Sequence, residues 1–192
     1  MTGRTHDLAA ATLLFAVVLS QPLRPIALST AAIALLANQI GGIAPDIDQP
    51  TAPFWRNLPV GKLFGKVTQA VLGGHRFLSH SLLGFAIFGF AVKTLLAFLG
   101  PILGQVDTGL VWWAFMIGMF SHLVMDSFTR EGVPWLLPVP YKFGFPPVKR
   151  FRVVTGKKFE SLIIFPGLIA INAFIFSSNY EKIITFTHAY IR

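Results

Sequence analysis

Residues 81–104, SLLGFAIFGFAVKTLLAFLGPILG, decide the class of fold, because this run of apolar and small residues contains a single charge, Lys93. A helix needs about 20 apolar residues to cross the hydrocarbon core of a bilayer. A helix that is apolar on every side is typical of a membrane span. The segment Ser81–Gly104 therefore predicts a transmembrane helix. We interpret Lys93 as a side chain whose stem reaches toward a membrane interface, since a charge within the bilayer is costly.

The composition extends this interpretation to the whole chain. Hydrophobic residues make up 54% of it and charged residues 12%, against about 25% charged residues in a typical soluble domain. Four further apolar segments stand out: Leu8–Ser20, Ile26–Ala44, Gly109–Met125 and Leu162–Ser177. We predict a single all-α domain over residues 1–192, an integral membrane helical bundle of about five transmembrane helices. Pro22 and Pro25 predict a helical hairpin from the first two segments, and whether its first arm spans the membrane stays open.

The basic residues predict how the helices are oriented. The net charge is +8, and most Lys and Arg residues lie in two loops, Pro45–His80 and Ser127–Glu160. The positive-inside rule places both loops in the cytoplasm, with the short links Gln21–Pro25 and Gln105–Thr108 outside. We therefore predict a multi-pass protein of the inner (cytoplasmic) membrane, with its N-terminus inside and the lipid bilayer as its partner. This pattern accounts for the charge without nucleic acid, which we do not predict as a partner.

The first basic loop carries a further pattern. Leu63, Phe64, Val67 and Val71 recur at helical spacing, and Lys62 and Lys66 lie among them. Apolar residues on one face and Lys on the other are typical of a helix that lies in the membrane interface. The loop is therefore predicted to contain a short amphipathic helix on the membrane surface.

The scarce His and acidic residues collect where the apolar segments end. Those at the predicted cytoplasmic ends are His6, Asp46, Asp48, His75, His80, His122 and Asp126. Since all these ends lie at one membrane face, we expect the side chains to converge there. His122 and Asp126 are four residues apart, so on a helix they project from the same face and can bind one cation together.

The types of residue indicate which metal this cluster would bind. The chain has no Cys, so a metal must use His, carboxylate or water as ligands. His with carboxylate suits Zn, or Mn or Fe, better than Mg or Ca, and one carboxylate, Asp46 or Asp48, could bridge two cations. Taken singly, each residue has an ordinary alternative: an interfacial His, a solvated turn or a helix-stabilising pair. Together these alternatives weaken, because carboxylates near a membrane are costly unless they are paired or metal-bound.

Two charged neighbours have two interpretations each. Arg76 lies beside His75, and its guanidinium suits a phosphate or carboxylate oxygen of a substrate; the alternative is an Arg that reaches to lipid headgroups. Glu160 precedes the last apolar segment. It would cap that helix or add a metal ligand, and we favour the cap.

The combination of these motifs resembles a known family. His6, Pro45-Asp46-Ile47-Asp48, Gly74-His75-Arg76, Ser79-His80-Ser81 and Ser121-His122 with Asp126 look like the YdjM-type family of bacterial inner-membrane proteins, described as LexA-regulated metal-dependent hydrolases. The motif order is also similar to the zinc-dependent phospholipase C superfamily, although that superfamily's further pair of downstream His ligands is missing after Asp126. The resemblance implies metal ligation by His6, Asp46, His80 or His75, His122 and Asp126, with Asp46 as general base.

These observations predict a membrane-bound metal-dependent hydrolase. Its expected substrate is a phosphoester, either a lipid or a lipid-linked molecule, with Asp46 and Arg76 as catalytic residues and the metal site at the cytoplasmic face. One alternative is a non-enzymatic membrane scaffold or stress-response protein with a structural metal. Another is a small transporter, but a transporter is expected to place ionisable residues near the bilayer midplane, and here all but Lys93 cluster at the helix ends.

Overall fold

The computed structural model of the chain describes residues 1–139 and 141–190, so Pro140, Ile191 and Arg192 lie outside the described residues. The described part is a bundle of helices without a β-sheet, which confirms the predicted all-α class. The helices are α1 Gly3–Ser20, α2 Leu28–Ile43, α3 Pro53–Arg56, α4 Gly61–Val71, α5 Leu82–Leu103, α6 Thr108–Ser127, α7 Phe165–Ser178 and α8 Tyr180–Tyr190. Short 3-10 turns follow α2 (Ala44–Asp48) and precede α5 (Leu78–His80), and a π-helical turn (Glu160–Ile164) leads into α7.

Four helical segments are long and apolar enough to cross a membrane. They are Leu28–Asp48, Leu82–Leu103, Thr108–Ser127 and Glu160–Ser178, with mean hydropathy between 1.3 and 2.2. They correspond to the second to fifth apolar segments of the sequence. The first, α1, does not reach this standard; it carries Arg4 and Asp7 in its first turns and buries Thr5, His6 and Thr12. It nevertheless packs against α2, α6 and α7 inside the bundle.

The helices alternate in direction, so their ends form two layers. At one end Glu160, just before α7, bonds to Thr5 in the first turn of α1. At the opposite end the Asp107 amide, just before α6, donates to Thr30 Oγ1 in the first turn of α2 at 3.0 Å. The helices α1, α5 and α7 therefore begin at the end where α2 and α6 finish. We call this the site end, because all the candidate ligands lie there, and the opposite end the far end.

The closest helix contact is the one between α2 and α6. A Cβ atom on Gly118 of α6 would lie 2.0 Å from the Asn38 carbonyl oxygen, and one on Gly41 of α2 would lie 2.1 Å from the Phe115 carbonyl oxygen. Small residues allow this approach, as at many interfaces between membrane helices. Asn38 adds a side-chain hydrogen bond to the Ala114 carbonyl at 3.1 Å. The contact holds the last turn of α6 beside the end of α2.

The helix α4 matches the predicted amphipathic helix. Its buried residues are Gly61 and Gly65, which pack against Trp55. The apolar side chains Leu63, Phe64, Val67 and Val71 are exposed, as are Lys62 and Lys66. An exposed apolar stripe flanked by Lys suits the surface of a bilayer, so the membrane-surface location stays our prediction for this helix.

Lys93 lies at the middle of α5. It is on α5 next to the first turn of α6, and its Nζ atom is 5.8 Å from the centre of the Trp112 ring. A cation over an indole ring is a favourable arrangement at an interface. The interfacial location of the Lys93 side chain stays a prediction.

The close α2–α6 contact can be tested by adding a methyl group. Gly118→Ala would place a Cβ against the Asn38 carbonyl, and we expect a loss of about 1–3 kcal/mol of stability, the usual effect of overpacking. Gly167→Ala in α7 is the matched control, because a Cβ there meets nothing within 4 Å. Thermal unfolding in detergent should show a lower Tm for Gly118→Ala only. Equal Tm values for both variants would contradict the close contact.

Candidate metal centre

The site end brings together all seven candidate ligands from four separate segments. His6 comes from the first turn of α1, and Asp46 and Asp48 come from the turn after α2. His75 and His80 come from the loop before α5, and His122 and Asp126 from the last turns of α6. Five of them are 1% exposed or less: His6, Asp48, His80, His122 and Asp126. Three overlapping groups have ligand atoms within 4.8 Å of one another, namely His6/His122/Asp126, Asp46/His80/His122 and Asp46/Asp48/His75.

Two imidazoles and two carboxylates face one another at the centre of the cluster. His80 Nε2 lies 3.8 Å from Asp46 Oδ1 and 3.6 Å from Asp126 Oδ2, and His122 Nε2 lies 3.7 Å from each of the same oxygens. These distances are too long for hydrogen bonds. Each distance is short enough for one cation to contact both the nitrogen and the oxygen at the about 2.0–2.2 Å typical of zinc with His and Asp ligands.

The protonation of His122 follows from its other nitrogen. Nδ1 lies 2.6 Å from the Gly42 carbonyl oxygen, which can only accept a hydrogen bond. Nδ1 therefore carries the proton, and in the neutral imidazole Nε2 has a free electron pair. Nε2 is buried and has no hydrogen-bond partner within the described residues. A metal ligand of this kind is usually oriented by a hydrogen bond from its other ring nitrogen.

His80 is oriented in a similar way through Ser79. The Ser79 hydroxyl donates to Asp48 Oδ2 at 2.5 Å and lies 2.9 Å from His80 Nδ1. Since its proton goes to Asp48, the hydroxyl oxygen accepts from Nδ1–H, which leaves the electron pair on Nε2. That atom is also buried without a hydrogen-bond partner in the part of the chain that the structure describes. Two buried imidazole acceptors aimed at carboxylates are unfavourable alone and fit a shared cation.

The charge around His80 also affects its affinity for protons. Burial disfavours the charged imidazole, but the nearby carboxylates of Asp126 and Asp48 outweigh it and raise the pKa of His80 above its ordinary value. A proton and a metal cation would therefore compete for Nε2 of this residue.

Asp48 orders the loop before α5. Its carboxylate accepts from the Arg76 amide at 2.9 Å as well as from Ser79, and its other oxygen lies 2.7 Å from His75 Nδ1. Both oxygens thus already have partners in the protein. Metal ligation by Asp48 and His75 stays a prediction. Asp46, which lies nearby, would be the third ligand of that set.

Asp126 is the most heavily contacted carboxylate. The α-amino group of Met1 donates to its Oδ1 at 2.6 Å, and His6 Nε2 lies 3.2 Å from the same oxygen. The His6 ring stacks on the His122 ring, with centroids 3.7 Å apart. His6 thereby lies within reach of the same centre as His122 and Asp126.

The two terminal nitrogens of Arg76 contact protein groups, whereas its Nε lies 3.4 Å from Glu131 Oε2 without forming a hydrogen bond. Its Nη2 lies 2.6 Å from Asp126 Oδ2, in an ion pair whose alignment is too poor for a hydrogen bond, and Nη1 donates to Thr129 Oγ1 at 2.8 Å. The backbone has a φ of 56°, a left-handed conformation that is uncommon outside Gly. This conformation turns the amide toward Asp48 while the guanidinium reaches Asp126. A substrate oxygen would have to share Arg76 with these groups, so its contact with substrate stays a prediction.

Glu160 joins the start of α7 to the start of α1. Its Oε1 accepts from the Thr2 amide at 2.7 Å and from the hydroxyls of Thr2 and Thr5, at 2.8 and 2.7 Å, and its Oε2 accepts from the Gly156 amide at 2.7 Å. The carboxylate thus binds Thr2 and Thr5 at the start of α1, whereas we expected it to cap its own helix. With four donors it has no need of a metal. Sequence reasoning missed Thr2 and Thr5, whose only signal was their position next to His6.

Comparison with known proteins agrees with these motifs. The family model described as "YdjM inner membrane protein" matches residues 1–188. The chain belongs to the YdjM inner membrane protein family. It is also 27% identical over 176 residues to the uncharacterized protein YvsG of Bacillus subtilis (strain 168), an alignment that covers 92% of this chain and 94% of YvsG. No solved structure matches the chain. As a YdjM-family protein it is a membrane protein with His and Asp groups that could hold a metal ion.

The Glu160 contact predicts a stability effect. Glu160→Gln keeps the shape of the side chain but removes the charge that four donors share. We expect a loss of about 1.5–3 kcal/mol, the usual worth of a hydrogen bond to a charged group. The exposed Glu181→Gln is the control and should leave the Tm in detergent unchanged. A Glu160→Gln protein as stable as the parent would show that this carboxylate does not hold α1 and α7 together.

Proposed function

We propose that this YdjM-family protein is a membrane-bound metal-dependent hydrolase that acts on a phosphoester of a lipid or lipid-linked substrate. The supporting observation is the convergence of His80, His122, Asp46 and Asp126, with the Nε2 atoms of both imidazoles buried and without hydrogen-bond partners in the described residues. The family resemblance supplies the reaction class. Four helices that are long and apolar enough to cross a membrane support a substrate that is a lipid or is linked to one.

The donor set indicates which residues would hold the metal. His80, His122, Asp46 and Asp126 would hold the first divalent cation, with His6 adjoining it. Asp48 and His75, with Asp46 as a shared ligand, would hold a second. Two imidazoles with carboxylates suit Zn, and also Mn or Fe. When bound, such a cation supplies polarisation of a phosphoryl oxygen and activation of water.

Asp46 is the proposed general base. Its side chain is 22% exposed, whereas that of Asp126 is 1% exposed. Asp46 Oδ1 faces the two imidazoles, and no hydrogen bond reaches its carboxylate from the other described residues. When a single cation is bound through Oδ1, the other Asp46 oxygen stays free and can take up a proton. The side chain of His75 is also partly exposed, at 29%.

A structural metal is the second candidate function. It is favoured by the contacts of Arg76, whose guanidinium is engaged by Asp126 and Thr129. It is also favoured by the complete burial of His80 and His122. A closed site of four protein ligands is typical of structural zinc, whereas catalytic sites keep one position open. The protein would then be a scaffold without activity.

The two functions are separated by measuring metal and activity together. We expect at least one Zn, Mn or Fe per purified chain by elemental analysis. The loss of this metal is expected in His122→Ala and Asp126→Asn, but not in the control His188→Ala, whose exposed residue lies outside the cluster. Asp46→Asn should lower the hydrolysis of bis(p-nitrophenyl) phosphate by about 100-fold or more, the usual contribution of a general base.

The outcomes have distinct meanings. A purified protein without stoichiometric metal would end both proposals. Metal that is bound by the parent and lost in His122→Ala, without hydrolysis of phosphoester probes by the parent, would establish the structural function and reject the hydrolase.

We also propose that the site end faces the cytoplasm, because both basic loops lie at this end. The chain has no Cys, so single cysteines can report the side. Lys66→Cys at the site end is expected to react with a membrane-impermeant maleimide only after the cells are opened. Gln21→Cys at the far end is expected to react in intact spheroplasts. The reverse pattern would overturn this orientation.

A further inference from the structure

A basic cavity of about 650 Å³ lies at the site end, beside the first turn of α1. Its walls come from α1, from the end of α3 and from the segment that leads into α7. Three cationic side chains line it, Arg4, Arg56 and Lys157. All three are exposed, and within residues 1–139 and 141–190 none of them forms an ion pair with a carboxylate. Three unpaired cations that share one cavity repel each other, so an anion would stabilise the arrangement.

The carboxylate in the same cavity does not neutralise the three cations through direct contact. Glu160 is 2% exposed and is bonded to Thr2, Thr5 and Gly156. The cavity thus has three formal positive charges against one negative charge that is turned into the protein.

The backbone of α1 adds further donors. Gly3 and Arg4 line the cavity, and they are the first two residues of α1. Their amides come too early in the helix to find an acceptor four residues back. Free amides and the positive end of a helix dipole favour an anion with several oxygens, such as phosphate. This donor set is independent of the cationic side chains.

An apolar surface continues from the cavity along the lipid-facing helix. Phe165 lines the cavity, and Leu162 and Ile163 beside it are 66% and 56% exposed. No residue in the most apolar stretch of Glu160–Ser178 is fully buried inside the protein. A ligand with a phosphate group and an acyl chain would match both surfaces, whereas a free phosphate would use only the first.

We propose that this cavity binds the phosphate headgroup of an anionic phospholipid, with an acyl chain along the start of α7. Arg4, Arg56 and Lys157 neutralise the headgroup, and the free amides of α1 donate hydrogen bonds to its oxygens. The site does not include the His/Asp residues and does not depend on hydrolysis. Clusters of Lys and Arg at the cytoplasmic ends of membrane helices are a common way to bind anionic lipids.

The test is lipid binding by the full chain purified in a neutral detergent. Short-chain phosphatidylglycerol, short-chain phosphatidylcholine and sodium phosphate are titrated separately and followed by native mass spectrometry and by the shift in Tm. We expect the parent to bind phosphatidylglycerol most tightly. The triple variant Arg4→Gln, Arg56→Gln, Lys157→Gln should bind it at least about tenfold more weakly, which corresponds to about 1.4 kcal/mol.

The control removes the same charges elsewhere. Arg130→Gln, Arg150→Gln, Lys149→Gln changes two Arg and one Lys, all exposed and none in the wall of the cavity, and should retain the affinity of the parent. Equal loss in both triple variants would show general attraction to charge and overturn the proposal. Equal affinity of the parent for phosphatidylcholine, or for sodium phosphate alone, would also overturn it.

The metal measurement separates this site from the proposed function. The cavity triple variant is expected to retain the parent's metal content, since no candidate ligand is changed. Failure of lipid binding with metal and hydrolysis intact would reject only the lipid site. Failure of metal binding with lipid binding intact would reject only the hydrolase.

Discussion

The burial of one carboxylate, Asp126, organises the site end of the bundle. An ionised carboxylate that is removed from water is costly unless charges and donors surround it. Here the Met1 α-amino group and the Arg76 guanidinium both lie 2.6 Å from it. These partners come from the start of α1 and from the loop before α5, while Asp126 itself ends α6. Satisfying this single group therefore requires three distant parts of the chain to meet.

The close contact between α2 and α6 fixes how the end of α2 is aligned with the last turns of α6. Gly41 and Gly118 allow the two backbones to approach, and the Gly42 carbonyl, one residue further, accepts the hydrogen bond of His122 Nδ1. The same contact that packs the helices thus also sets which nitrogen of His122 faces the centre. Packing and ligand chemistry are coupled here, because a shift of α2 would move Asp46 and the Gly42 carbonyl together.

The sequence predicted the features that depend on local composition. The segment Ser81–Gly104 is apolar along its whole length, and the structure has a helix there over Leu82–Leu103. The convergence of His6 with His122 followed from the alternation of helix directions. Two long helices, α2 and α5, lie between α1 and α6, so α1 and α6 run in opposite directions. The start of α1 therefore lies beside the end of α6. The first segment was harder, because α1 has polar residues that are buried by its neighbours and lower its hydropathy.

The features that sequence reasoning did not reach are set by tertiary contacts. Glu160 stands before α7, so a cap of its own helix was the natural expectation, but its carboxylate is used by Thr2 and Thr5 of α1. No spacing rule connects residues that are more than 150 positions apart. The left-handed backbone of Arg76 is also set by tertiary contacts. The amide of this residue donates to Asp48 while its side chain reaches Asp126.

The two carboxylates that face the imidazoles have different environments, and this difference bears on function. Asp126 is enclosed and its charge is met by Arg76 and the Met1 amine, so it has little capacity to exchange a proton. Asp46 faces the same Nε2 atoms but is 22% exposed. A purely structural site would gain from enclosing both carboxylates equally, because exposure admits water as a competing ligand. One closed side and one open side would suit the hydrolytic centre that we propose, since substrate and water must enter such a centre while the ligands stay in place.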